Sequence, residues 1–230
     1  MKEKTKETII AFMTIICVTF MLSYQCEAKG HKIVRHTKSA PIETASIVIN
    51  GPVDLGLSVK WAAFNIGASS PEKSGGLYGW ADPTGNNRST DENIYPSSIP
   101  PQNISGTQYD IALAKWGRGW RLPTSTECEE LVANCKWTWL TFKGVKGMKV
   151  TGSTGNSIFL PAAGLRYDIT ATTDKNKVGY YWSGTHDGYQ ARFLNFFLNF
   201  YKNKTKIIKQ VYSYYLFPRN DGFSIRPVCE

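Results

Sequence analysis

The first block of hydrophobic positions, Ile9 to Leu22, is 14 residues long and follows the lysines Lys2, Lys4 and Lys6. It is shorter than the roughly 18–20 apolar residues of a spanning helix and matches the core of a secretory signal over residues 1–28. Residues 29–50 are charged and without period, which predicts a linker or N-terminal arm. From Val53 the chain breaks into short apolar pieces punctuated by glycine, the texture of short strands. Residues 69–108 are rich in Ser, Pro, Gly and Asn, with Trp80 as their main candidate for burial. An irregular stretch of that length inside a domain is ordered by its own packing or is functional.

Two helices are predicted next. The first covers 108–116, with Gly117 where a glycine cap belongs. The second opens at Thr124, with Glu127 at the spacing of a capping box and Pro123 just ahead. Its apolar residues Cys128, Leu131, Val132 and Cys135 fall at i, i+3, i+4 and i+7. Beyond Trp137 and Trp139 the pattern is that of strands. Segments 148–151 and 157–161 predict a hairpin around 152–156. Strands are also predicted at 179–183, at 191–200 and 207–217 around a Lys/Asn turn, and at 222–228.

Composition and charge then narrow the function. Seven Trp, twelve Tyr and eleven Phe can fill a core with little helix, and Tyr and Trp bring polar edges suited to a binding face. The formal charge of +9 falls on residues 29–230, because Lys2, Lys4 and Lys6 balance Glu3, Glu7 and Glu27. It gathers at 29–38, 143–149 and 202–209, which suits anionic partners or a solvated basic surface. Export argues against nucleic acid as the partner.

The end of the signal leaves alternatives open. Cleavage after Ala28 comes first, since Cys26-Glu27-Ala28 ends in a small residue. Lipidation at Cys26 comes second, although Ser23-Tyr24-Gln25 is a poor lipobox, and an uncleaved anchor third. Past the signal, Cys128 and Cys135 lie two helical turns apart, about 10 Å, which is too far for a disulfide. A disulfide would use Cys229, and three free thiols are the equal alternative. His31, His36 and His186 are scattered and no Cys-x-x-Cys exists, so the pattern does not favour zinc.

The segments, in order, resemble a known bacterial family. Val53-Asp54-Leu55-Gly56-Leu57, Trp61-Ala62 and Asn65-Ile66-Gly67-Ala68 look like its opening. Trp116-Gly117-x-Gly119-Trp120-Arg121-Leu122-Pro123-Thr124, followed by Cys135-x-Trp137-x-Trp139, looks like its central motif. Gly155-Asn156-Ser157-Ile158-Phe159-Leu160-Pro161-Ala162-Ala163-Gly164, Gly179-Tyr180-Tyr181-Trp182-Ser183 and Ser224-Ile225-Arg226-Pro227-Val228 complete the pattern. Residues 51–230 are similar to the Fibrobacter succinogenes major paralogous domain of exported Bacteroidetes proteins. The resemblance implies an α+β, C-type-lectin-like fold: two helices flanking a twisted, mostly antiparallel sheet, with the termini paired.

The resemblance also directs attention to 184–221, which displays the binding face in variable receptor-binding relatives of this fold. Here that stretch holds His186, Asp187, Tyr189, Arg192, Asn195, Asn199, Tyr201 and Tyr214, residue types suited to adaptable contacts. The alternation Arg192-Phe193-Leu194-Asn195-Phe196 predicts one buried and one displayed face. Trp61, Trp116, Trp120 and Trp182 are expected as packing posts, and Pro123 as the lead into the second helix. Arg121 and Arg226 are expected to pair with carboxylates or backbone carbonyls. Asn156 is expected to serve the turn after Gly155.

No catalytic residue is assigned. His186 is the sole histidine past the arm, no nucleophile elbow occurs and no carboxylate pair stands out. No cofactor is expected. Calcium serves lectins of this fold, but their Glu-Pro-Asn and Trp-Asn-Asp runs are absent. The stretch Asp82, Asp91, Glu92 and Asn93 is read as a polar loop ahead of a Ca²⁺ site.

The expected protein is therefore a non-enzymatic recognition domain that binds a glycan or a protein. It is placed as secreted, periplasmic or outer-membrane-associated, and touches a membrane only if Cys26 is lipidated. A structural envelope protein is the alternative, and a hydrolase or modifying enzyme ranks below it.

Overall fold

Two capped helices organise the middle of the chain. The first, α1 (Ile111–Trp116), starts where Asp110 turns extended and its carboxylate accepts from the N–H groups of Ala112 and Leu113. Asp110 is thus the cap rather than an interior residue, which moves the start from 108 to 111. The second, α2 (Ser125–Asn134), opens on the expected capping box, with Thr124 and Glu127 each accepting from the other's backbone N–H. Its expected apolar stripe is buried at Cys128, Leu131 and the C-cap Cys135.

The structure, a computed structural model, describes residues 51–86, 102–167, 171–187, 190–201, 204–213 and 219–230. Residues 1–50, including Cys26, His31 and His36, lie outside the described residues, as do Asp91, Glu92, Asn93, Tyr189 and Tyr214.

The strands are β1 (Pro52–Val53), β2 (Lys60–Ala62), β3 (Lys136–Phe142), β4 (Val145–Thr151), β5 (Ser157–Pro161) and β6 (Leu165–Tyr167). They continue with β7 (Ala171–Thr173), β8 (Val178–Asp187), β9 (Gln190–Tyr201), β10 (Lys204–Ser213) and β11 (Val228–Cys229). All named pairs are antiparallel: β2 lies between β1 and β11, β4 between β3 and β5, β9 between β8 and β10, and β6 pairs with β7. The fold is α+β, mostly antiparallel sheet with two short helices.

The sheet is divided rather than continuous. Isolated bridges link its parts, antiparallel at Arg121–Val228 and Arg166–Gly222, parallel at Gly164–Gly179 and Tyr181–Ser224. The expected strand 222–228 is broken for the same reason. Gly222, Phe223 and Ser224 each bridge a different segment, and Pro227 has no N–H for a ladder. The terminal strands, expected to pair with each other, instead flank the same strand: β2 lies between β1 and β11 and pairs with both. The predicted hairpin forms, closed by the Gly152 N–H donating to the Asn156 carbonyl at 3.0 Å. Asn156 turns its side chain outward from that turn: its amide donates to the Asp54 carbonyl at 2.9 Å and docks the hairpin on the opening segment. A second hairpin, β3–β4, turns on Lys143 and Gly144, both at positive φ (45° and 84°), as a type I′ turn requires.

Side chains gather in two cores. One holds Trp61, Leu131, Trp137, Met148, Leu160 and Phe196; the other holds Trp80, Ile111, Leu122, Trp182, Phe193 and Phe223. Strand β9 serves both, with Leu194 and Phe196 in the first and Ala191 and Phe193 in the second. This corrects the expectation of one displayed face, since residues 193–196 are buried on both sides.

Burial also fixes how the core responds to alkali. It pushes the Cys135 thiol up to about 11 and the Tyr181 phenol up to about 12, and raises Cys128 and Tyr180 further. Each group keeps its proton in the folded chain at a pH where the unfolded chain has released it. Its contribution is therefore complete below the unfolded values of 9.0 for thiol and 10.0 for phenol, and is lost as pH rises through the folded value. Arg226, lowered to about 10 by burial, acts with the opposite sign. Lys209, also lowered by burial, acts with Arg226. The raised thiols and phenols, Cys229 and Tyr78 among them, outnumber these two, so the urea midpoint is expected to fall steadily above about pH 9. A midpoint flat from about pH 8 to 10.5 would contradict this.

Candidate functional site

The expected 184–221 face is largely committed to packing. His186 is 6% exposed, its ring edge-on to Trp80 at 5.4 Å between centroids. The Arg219 guanidinium lies over the Trp80 ring, 4.8 Å from its centroid, with Nη2 3.4 Å from His186 Nδ1. Asn195 is 5% exposed and donates its amide N–H to the Gly179 carbonyl at 3.2 Å, so it serves the β8–β9 pairing rather than a displayed surface. Arg192 is partly exposed, with Glu129 of α2 at 3.8 Å. Asn199 is half-buried on β9 opposite Lys206. Asp187 and Tyr201 end β8 and β9. The Trp80–Arg219 stack was invisible in sequence, because its partners are far apart in the chain and only the fold joins them.

The two motif arginines take the pairings expected of them. Arg121 forms a two-pronged bond with Glu127, Nη1 to Oε2 at 2.9 Å and Nη2 to Oε1 at 2.7 Å, and also reaches Glu230 at 2.9 Å. These carboxylates raise its pKa above the ordinary arginine value, against the opposing effect of burial. Arg226 is 1% exposed and caged by oxygens: Nε donates to Asn65 Oδ1 at 2.8 Å, Nη1 to the carbonyls of Ala62 and Ala63 at 3.0 Å, and Nη2 to Phe159 at 2.7 Å. Pro123 is buried, and its carbonyl accepts from the Gly184 N–H at 2.7 Å.

The four motif tryptophans divide into two kinds. Trp61 and Trp182 are 1% exposed, and Trp182 stacks on Phe223 at 4.0 Å. Trp116 and Trp120 are only half-buried. Trp116 closes α1, and Gly117 and Gly119 follow at φ 83° and 98°. Those left-handed conformations favour glycine and fold 117–120 into a turn closed by the Trp120 N–H donating to the Gly117 carbonyl at 3.3 Å. The turn sets the indoles edge-to-face, 5.2 Å apart at 82°, and Phe64 meets Trp116 at 5.7 Å and 75°.

These rings, with Gly51, Ala62 and Ala63, line an open groove of about 250 Å³. The indole N–H groups make the difference. Trp80, Trp137 and Trp182 donate to the carbonyls of Ser183, Leu131 and Tyr78. The indole N–H groups of Trp116 and Trp120 have no acceptor among the described residues and are not sealed off by them on every side. Trp139 is also half-buried without an acceptor among the described residues but does not line the groove, and Trp61 keeps a buried N–H with no acceptor among them.

Comparison with protein families, curated proteins and solved structures gives no match. The groove's chemistry therefore rests on its own geometry: apolar ring surface for a C–H face and two donors for hydroxyl oxygens. Among the described residues, no group of three or more His, Cys, Asp or Glu could hold a metal ion, and no helix is long and apolar enough to cross a membrane. Asp82 is 5% exposed and is occupied by Thr84, whose hydroxyl donates to it at 2.6 Å. Cys128 and Cys135 are buried free thiols, and Cys229 is free and half-buried.

Proposed function

We propose that this chain is an exported, non-enzymatic recognition domain of C-type-lectin-like fold, related to the Fibrobacter succinogenes major paralogous domain, that binds carbohydrate outside the cytoplasm. The order of its motifs supports the relationship, as do two helices ahead of the main run of strands and a last strand that returns to pair with β2 of the opening hairpin. The observation that carries the binding role is the groove of Phe64, Trp116 and Trp120, whose two indole donors are left to solvent. A pyranose ring has a matching surface, with an apolar C–H face for the rings and hydroxyls around its edge.

The test is a glycan array probed with the purified protein and with Trp116→Ala/Trp120→Ala. The native protein should bind a defined glycan class, and the double variant should lose at least about tenfold in affinity. Its circular dichroism should stay native, since both side chains are half-exposed. Equal binding by the variant, or no glycan bound by the native protein, would overturn the reading. For the export half, mass spectrometry of the envelope and medium fractions should find either an N-terminus at Lys29 or a lipid on Cys26. An intact, unmodified chain in the cytoplasm would sink it.

A further inference from the structure

We propose that the groove prefers acidic saccharides, with Lys115 and Arg118 reading a carboxylate or sulfate on the bound sugar. This rests on the carbohydrate reading above and adds the ligand's charge.

The basic residues around the aromatic motif are not equivalent. Arg121 is consumed by Glu127 and Glu230, and Lys60 donates to the backbone carbonyl of Glu230 at 3.2 Å. Lys143 faces Glu72 at 3.7 Å and Arg192 faces Glu129 at 3.8 Å. Lys115 and Arg118 are exposed and carry no ion pair among the described residues. They are also the chain neighbours of the groove walls, in the order Lys115-Trp116-Gly117-Arg118-Gly119-Trp120.

The turn geometry makes this adjacency useful. In the turn 117–120, Arg118 takes the second position, the outer corner between the two wall tryptophans. Gly119 takes the third at φ 98°, the place where a type II turn demands positive φ. A guanidinium on that corner offers a planar, two-pronged donor to a carboxylate or sulfate. Among the described residues, no acidic side chain lines the groove to compete for it.

Charge also selects among occupants. A neutral sugar would use the rings and leave both cations idle. An acidic sugar uses both. Because the cations are exposed, the preference should be modest and sensitive to salt.

The test uses the purified protein and two matched pairs: oligogalacturonate against its methyl ester, and chondroitin sulfate against desulfated chondroitin reduced at its carboxylates. Titration calorimetry at about 20 mM and about 200 mM salt reads the preference. At least one acidic probe should bind about tenfold tighter than its neutral partner at low salt, and the gap should narrow at high salt. Lys115→Gln/Arg118→Gln should bring the acidic probe down to the level of its neutral partner. Lys146→Gln/Lys149→Gln removes the same charge from β4 and should keep the preference.

Equal binding of acidic and neutral probes by the native protein would overturn the inference and leave the carbohydrate reading standing. A preference that survives in Lys115→Gln/Arg118→Gln, or falls equally in Lys146→Gln/Lys149→Gln, would do the same. Acidic binding unchanged in Trp116→Ala/Trp120→Ala would sink both.

Discussion

Arg226→Met is expected to lower folding stability by about 3–5 kcal/mol, on the order of 10 °C in Tm for a domain of this size. The substitution keeps the length and apolar stem of the side chain, so it isolates the guanidinium. Four buried oxygens then lose their donor: Asn65 Oδ1 and the carbonyls of Ala62, Ala63 and Phe159. Each buried acceptor left unsatisfied costs roughly 1–3 kcal/mol. Part of this is returned. Burial has lowered the arginine to about 10 from 12.5, and deleting the charge relieves a penalty of about 3 kcal/mol at that displacement. The acceptors outweigh the relief because they come from two separated parts of the chain, 62–65 and Phe159, and cannot all close onto one another. Asn65 carries the damage further, since its amide also donates to Tyr181 Oη at 3.4 Å and to the Ser74 carbonyl at 2.8 Å. Arg226→Lys should recover little, because one ammonium cannot span a cage shaped for a planar fork. Chemical denaturation decides it: a loss under about 1 kcal/mol for either variant would show that the cage is not a main support.

Asp110→Asn should cost about 2–4 kcal/mol although it changes only one atom of the side chain. The carboxylate is fully buried and accepts from four backbone N–H groups. Oδ1 takes Ala112 at 2.7 Å and Leu113 at 3.4 Å; Oδ2 takes Gly106 and Leu122, each at 2.8 Å. Burial pushes this carboxyl above its ordinary range, while the four donors pull the other way. An amide has one oxygen, so either of its two orientations turns an NH₂ group toward backbone donors. Asp110→Ala should therefore be about as harmful as Asp110→Asn. The damage should spread, because Asp110 joins the start of α1 to Leu122, and the groove wall lies between them. Urea melts measure the first effect and glycan titration the second. An Asn variant with native stability would refute the account.

The parts of the fold legible in sequence were those fixed by neighbours in the chain. Thr124 and Glu127 announced α2 because a capping box is closed within four residues. Asp110 also carried a local sign, a capping side chain directly before the apolar Ile111, but starting the helix at Gln108 hid it. Its bonds to Gly106 and Leu122 had no sign at all, since they depend on the loop's return.

Strand β9 departs from its expected alternation for a different reason. Arg192 and Asn195 are three positions apart, so a two-residue period puts them on opposite faces and neither face is uniformly polar. The nearly unbroken apolar run was the better indication, as in any strand covered on both sides. The groove was hidden because all tryptophans look alike in sequence. Which of them keeps a free N–H depends on where distant carbonyls arrive, as Ser183 does for Trp80 and Tyr78 for Trp182.

The shared use of β9 bears on how the protein comes apart. Phe193 and Phe196 are three residues apart on one strand, yet each is buried in a different core. Neither core can loosen around this strand without pulling the side chains of the other. The cores therefore melt as one cooperative unit, and partial unfolding is confined to segments that β9 does not touch. The slowest-exchanging amides should lie in the middle of β9, where they report the global opening of the domain.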